Sequence, residues 1–167
     1  MIDSKTLKQW KLTAFLNLYG LARIPLLAFI SPRVIEFTKE KCIVSIPLNY
    51  RSKNHLGAMY FGALAMGSEL SIATPAVIAI GESKRKVDFI FKNFKCEFSK
   101  RSDGDVHFVC EESTGVRELI EKSMTSSERL EKTFKGYAIV PSQGTEPVMN
   151  YELTLSVKCR DQRAVPL

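Results

Sequence analysis

Three features of the chain predict an α+β fold in which a curved antiparallel sheet wraps a long central helix, with a further helix at the N-terminus. The first is the run from Leu56 to Gly81, LGAMYFGALAMGSELSIATPAVIAIG, small and aliphatic almost throughout. It is too long for a strand, and a helix apolar on every side must be covered on every side. The second is a set of segments that alternate apolar and polar residues, the period of half-buried strands. The third is a slip in that alternation at Lys92-Asn93, where Val87, Phe89 and Phe91 give way to Phe94, Cys96 and Phe98 one residue out of phase. A β-bulge does this, and bulges let a strand bend around a convex object.

In chain order, an amphipathic helix is expected over about residues 4–20, then a turn near Ile24-Pro25. Residues 1–30 form an N-terminal helical extension whose apolar content suits docking on the body of the protein more than a signal peptide, since Arg23 and Pro25 interrupt it. Val34 to Phe37 is β-rich, and Lys39-Glu40-Lys41 is a charged turn. Cys42, Val44, Ile46 and Leu48 alternate with polar neighbours to complete a hairpin, and Pro47 places that strand's end at an edge or terminus. A polar loop, Asn49 to His55, leads to the central helix at about residues 58–76. The bulged strand follows, then a turn at Ser102-Asp103-Gly104-Asp105 and a strand through Val106, Phe108 and Cys110. Ser113 or Thr114 can cap a short helix bearing Val116, Leu119, Ile120 and Met124 on one face. Strands over about Thr133–Val140 and Val148–Cys159 close the chain, joined through Pro141-Ser142-Gln143-Gly144.

The 167 residues, 45% hydrophobic, suit a single domain with a full core. A formal charge of +6 spread along the chain suits an anionic ligand, and no basic block is long enough to argue for nucleic acid. Cys42, Cys96, Cys110 and Cys159 show no C-x-x-C pairing and no His at ligand spacing, so no metal site is expected. They read as small core hydrophobes in a reducing, cytoplasmic compartment.

Glu69 is the only charged residue between His55 and Glu82. A transmembrane span is not expected: a mid-span acid costs ~2.5–3.5 kcal/mol, and Gly57, Gly62, Gly67 and Pro75 weaken the span further. Inside a soluble core, a lone carboxylate must be paired, neutralised or put to use. Burial raises its pKa, which is how enzymes bring a carboxylate toward a working pH.

The stretch Asn54-His55-Leu56-Gly57-Ala58-Met59-Tyr60-Phe61-Gly62-Ala63-Leu64, ending at Glu69, resembles the signature of small hotdog-fold acyl-CoA thioesterases of the phenylacetate-degradation type. That signature is roughly N-x-x-G-x-x-H-G-G with an acid nine positions after the His. The M-Y-F-G-A-L form is similar to a poorly characterised branch of the superfamily. The resemblance places the family's helix acid on Glu69, its loop Asn on Asn54 and its loop Gly on Gly57. The family's His falls on Tyr60 and the first Gly of its pair on Phe61, while Gly62 keeps the second.

It implies that Glu69 acts as general base or nucleophile on a thioester, that the Phe61 N–H helps hold the oxyanion, and that Asn54 orients water or carbonyl. The loop residues His55, Gly57, Tyr60 and Gly62 would contact substrate, and Lys84 and Arg85 would meet the phosphates of coenzyme A. No cofactor is implied beyond the substrate's own coenzyme A. The site would form across a homodimer, which in turn can pair into a tetramer.

Two other readings stay open. His55 lies fourteen residues before Glu69, the spacing of hotdog hydroxyacyl dehydratases, although their H-F-P-G-x-P-x-M-P-G pattern is absent. Tyr60 and Phe61 in place of His and Gly also suit a domain that binds acyl-CoA without turning it over.

Overall fold

The computed structural model describes residues 4–161, so residues 1–3 of the N-terminal extension and 162–167 lie outside the described part. Its elements are α1 (Ser4–Arg23), α2 (Pro25–Phe29), β1 (Arg33–Phe37), β2 (Cys42–Ile46), α3 (Phe61–Ser83), β3 (Val87–Phe98), β4 (Val106–Cys110), α4 (Ser113–Ser123), β5 (Leu130–Ile139) and β6 (Met149–Cys159). All six strands form one antiparallel sheet in the order β1-β2-β4-β5-β6-β3, with β1 and β3 at its edges. The α+β architecture expected from the sequence is the one observed.

The sheet's inner face carries Cys42, Val44, Ile46, Phe108, Phe134, Met149, Leu153, Leu155 and Val157, all buried around α3. The bulge falls where the phase slip placed it: Phe91 opposes Leu155, Asn93 opposes Thr154, and Lys92 is the extra residue. By absorbing one residue there, β3 keeps Phe89, Phe91 and Phe94 all turned to the core side.

α3 is long and apolar enough to cross a membrane, yet 67% of its apolar stretch is buried inside the protein. It meets the sheet closely. A Cβ on Gly67 would lie 2.2 Å from Cε2 of Phe108, so only glycine lets that ring cross the helix. The hydroxyls it buries are satisfied locally. Ser68 Oγ donates to Leu64 O at 2.9 Å, Thr74 Oγ1 to Leu70 O at 2.6 Å, and Ser71 Oγ meets Tyr151 Oη at 2.8 Å.

Several boundaries differ from the sequence expectation. α3 starts at Phe61, not near residue 58, because Met59 N donates to Ser102 O and pairs across to Lys53. It runs through Pro75 to Ser83 instead of stopping near residue 76. Packing on all sides outweighs the lost backbone bond, and the helix ends at Lys84, in the left-handed conformation at φ 53°. α1 extends to Arg23, and the expected turn is followed by one more short helix, α2. Neither expected hydroxyl caps α4: Glu112 holds the N-cap position, Ser113 Oγ is buried without a partner, and Thr114 Oγ1 donates to Lys39 O at 3.0 Å. β5 begins at Leu130, three residues earlier than expected.

The N-terminal extension docks on the body of the protein through the buried apolar residues Leu16, Leu27 and Ile30 and through a polar stripe. Gln9 Nε2 donates to Ile35 O, Thr13 Oγ1 accepts from Val34 N at 2.9 Å, and Asn17 Nδ2 donates to Pro32 O at 2.9 Å. These residues, four apart on one stripe of α1, occupy backbone groups of edge strand β1 and the residue before it.

Candidate active site

Glu69 sits on the side of α3 turned toward the N-terminal helices. Residues four apart share a helix face, so Glu69, Ala73 and Val77 form one row, flanked by Leu70 and Thr74. Opposite them stand Leu16 and Tyr19 of α1 and Ile24 and Leu27 beside and within α2. Phe89, Ile90 and Phe91 of β3 close the remaining side. Together they enclose a cavity of about 460 Å³, within the size range of small-molecule sites.

The walls offer Glu69 little company. Thr74 spends its hydroxyl on Leu70 O, and among the described residues no cation or donor reaches the carboxylate. Burial alone pushes the Glu69 pKa above the usual carboxylate range. This is an incompletely covered, unpaired acid facing an apolar space.

The loop before α3 is shaped by Asn54. Its Oδ1 accepts from Leu56 N at 2.9 Å and Ala58 N at 3.2 Å, and its carbonyl accepts from Gly57 N at 3.1 Å. Gly57 takes φ 83°, a conformation that explains the glycine there. His55 is exposed on this loop and does not line the cavity.

Tyr60 holds the N-cap position of α3 without a side-chain capping bond, and the first bond of the helix runs from Leu64 N to Tyr60 O. The N–H groups of Phe61, Gly62 and Ala63 therefore precede the helical ladder, at the end where partial positive charge collects. The Tyr60 ring lies against Gly62: a Cβ there would sit 2.6 Å from Tyr60 Cε1. The Phe61 ring leans instead on Phe98 at the end of β3, centroids 5.9 Å apart. Tyr60 and Phe61 are both more than half exposed.

One chain does not bring these parts together. Phe61 lies eight positions before Glu69, about 12 Å along the helix axis. Lys84 and Arg85 lie beyond the other end of α3. Arg85 Nη2 donates to the carbonyl of Asp161 at 2.5 Å, tying that end to the chain after β6, whereas Lys84 and Lys86 are exposed.

The cavity walls from α1 and α2 were missed in the sequence, which treats residues 1–30 as an appendage. The signal was present in the spacing of Leu16, Tyr19, Ile24 and Leu27 but had no counterpart to which it could be matched. A second cavity, of about 480 Å³, opens over Gly136 and Tyr151. Its charged rim includes the exposed Lys135–Glu152 pair at 3.3 Å, and the Tyr151 hydroxyl is already bonded to Ser71 and Val109. Glu97 on its rim is exposed, and the cavity offers no buried, unpaired acid.

With a bulged antiparallel sheet wrapped around a long central helix, the protein has the hotdog fold. Solved structures share the fold across nearly the whole chain. A candidate thioesterase from Shewanella oneidensis superposes with a TM-score of 0.73 at 11% identity, covering 89% of this chain and 98% of that one. A candidate thioesterase from Pseudomonas aeruginosa gives 0.67 at 18% identity, covering 89% and 96%. A thioesterase from Haemophilus influenzae gives 0.63 at 10% identity, covering 88% and 92%. At these identities the likeness shows the fold. No curated protein matches the chain in sequence. Residues 13–163 match the family described as the domain of unknown function DUF4442, and the chain belongs to it.

Proposed function

We propose that the protein hydrolyses an acyl thioester, with an acyl-CoA as the substrate class. The observation that carries this is Glu69, an unpaired carboxylate of raised pKa facing an apolar cavity of about 460 Å³. The acyl chain occupies the cavity, and the thioester carbonyl lies at Glu69. The carboxylate takes a proton from a water as the water oxygen bonds to the carbonyl carbon. The C–S bond then breaks, and the leaving thiolate recovers the proton, giving acid and free thiol. Direct attack by Glu69, with water cleaving the resulting anhydride, reaches the same products.

The oxyanion needs donors, and the unpaired helix N–H groups of the same chain, Phe61 to Ala63, are about 9–12 Å away along α3. A homodimer supplies them from the second copy's Phe61 and Gly62, with the loop shaped by Asn54 and Gly57. Support for this assembly is the incompleteness of the site in one chain and the edge position of the twelve-residue strand β3. Two such dimers can pair as a tetramer. The exposed Lys84 and Lys86 suit the phosphates of coenzyme A. The reaction needs no further cofactor, and four free cysteines suit a cytoplasmic setting.

The second reading is acyl-thioester binding without turnover. It draws on the Tyr60 ring lying over Gly62 at the N-terminal end of α3. Free-thiol release from short, medium, long and aryl acyl-CoAs, with wild type and Glu69→Gln in parallel, separates the two. Release that collapses in Glu69→Gln is the expected result. Saturable binding to both proteins with release from neither overturns hydrolysis in favour of binding.

A further inference from the structure

α1 is an amphipathic helix mounted the wrong way round. Its polar stripe, Gln9, Thr13 and Asn17, faces inward and bonds the chain at β1. Its apolar stripe faces out: Trp10 is 75% exposed, Leu18 67% and Leu21 66%. α2 continues this surface with Leu26, 60% exposed, and with Phe29. Apolar side chains scattered singly over a surface are ordinary, but a contiguous stripe along two helices is not.

The charges around the stripe identify its complement. From Thr6 to Ile35 the sequence contains Lys8, Lys11, Arg23 and Arg33 and no acid. Lys11 falls within the outward stripe, beside Leu7, Ala14 and Leu18 on the helical wheel. Arg51 lies 5.7 Å from the Phe29 ring and adds a cation at the α2 end. A second copy docked stripe to stripe would set these cations against their own kind, with no acid in either helix to offset them. An anionic lipid surface accepts both features. Its headgroups meet the cations, and its acyl boundary takes Trp, Leu and Phe.

We propose that α1 and α2 form a membrane-surface docking site, lying in the headgroup region of an anionic bilayer with Trp10, Leu18, Leu21 and Leu26 inserted. This does not rest on the hydrolase reading. It does place the bilayer against the two helices whose other residues, Leu16, Tyr19, Ile24 and Leu27, wall the Glu69 cavity.

Trp10 is the only tryptophan of the chain, so intrinsic fluorescence reads this face directly. The probes are vesicles of phosphatidylcholine alone and of equal parts phosphatidylcholine and phosphatidylserine, each with and without brominated acyl chains. The expected result is a blue shift and bromine quenching of Trp10 with the anionic vesicles, fading as salt is raised. Lys11→Gln should weaken binding about fivefold, the worth of one cation at such a surface. The double variant Leu18→Glu, Leu21→Glu should abolish binding while its thermal melting and circular dichroism stay as in the wild type, because both positions are exposed. No response of Trp10 to either vesicle overturns the proposal. So does emission already blue-shifted without lipid, combined with a fall in solution mass on Leu18→Glu, Leu21→Glu; in that case a second copy covers the face.

Discussion

α3 is packed in two different ways on its two sides. Against the sheet it has no slack: Phe108 crosses at Gly67, and Ser71 is bonded to Tyr151, which in turn donates to Val109 O at 3.2 Å. Against α1 and α2 it leaves about 460 Å³ open and an acid without a partner. The helix is the same and so is its apolar composition; what differs is the cover. A sheet threaded by its own backbone bonds can hold side chains in fixed positions. Two helices that attach through a polar stripe to β1 and through a few apolar residues, Leu16 and Leu27 among them, leave room between those anchoring points. The side with room is the one that can accommodate a ligand.

Five experiments test this contrast, starting with the largest effect. Glu69→Gln should lower thioester turnover by about 10²- to 10⁴-fold, the usual worth of a positioned base. The wild-type rate should rise with pH through the raised Glu69 pKa, because the base acts ionised. A flat pH profile would assign the base elsewhere. On the sheet side, Gly67→Ala sets a methyl into Phe108 and should cost ~1–3 kcal/mol, read by chemical denaturation. A smaller loss is expected for Tyr151→Phe, ~1–2 kcal/mol, because Ser71 and the Val109 carbonyl then lose the Tyr151 hydroxyl, while Ser71 keeps its bond to Ser68 O.

The last test returns to the open side and measures stability rather than rate. The folded-state pKa of Glu69 is raised, so the native protein binds more protons than the unfolded chain between the two pKa values. Stability from this group is therefore fully present below the unfolded pKa, falls as pH rises toward the folded pKa, and stays low above it. Glu69→Gln should accordingly melt higher than wild type at neutral pH and level with it in acid. A gain of ~1 kcal/mol corresponds to about 2–4 °C in a domain of this size. A lower Tm for Glu69→Gln at neutral pH would mean that the carboxylate has a partner after all.

The sequence exposed the sheet side of this contrast far better than the open side. Alternation in Met149, Tyr151, Leu153, Leu155, Val157 and Cys159 marks a strand with one face in a core, and the slip at Lys92-Asn93 locates the bulge to within two residues. Glu69 was legible as a lone charge in an apolar run. Its surroundings were not, because they come from α1 and α2, whose apolar residues point in two directions at once. The sequence expectation ended α3 near residue 76, one residue past Pro75, yet the helix runs on through Gly81 to Ser83. Propensity at those positions yields to burial on all sides, which a local reading does not weigh. Asn54 was legible as a loop residue, but that its Oδ1 would be occupied by Leu56 N and Ala58 N depends on the turn that Gly57 permits.

The strand order has a consequence during synthesis. β3 pairs only with β6: Val87 opposes Cys159, and Phe98 opposes Met149. Every residue between them, including β4, α4 and β5, must be made before β3 gains its partner. At about 5–20 residues per second that interval lasts several seconds. Through it the nascent chain carries Phe89, Phe91 and Phe94 on an unpaired strand beside an uncovered α3, which is the state in which this protein is most open to capture by a chaperone or by another copy of itself.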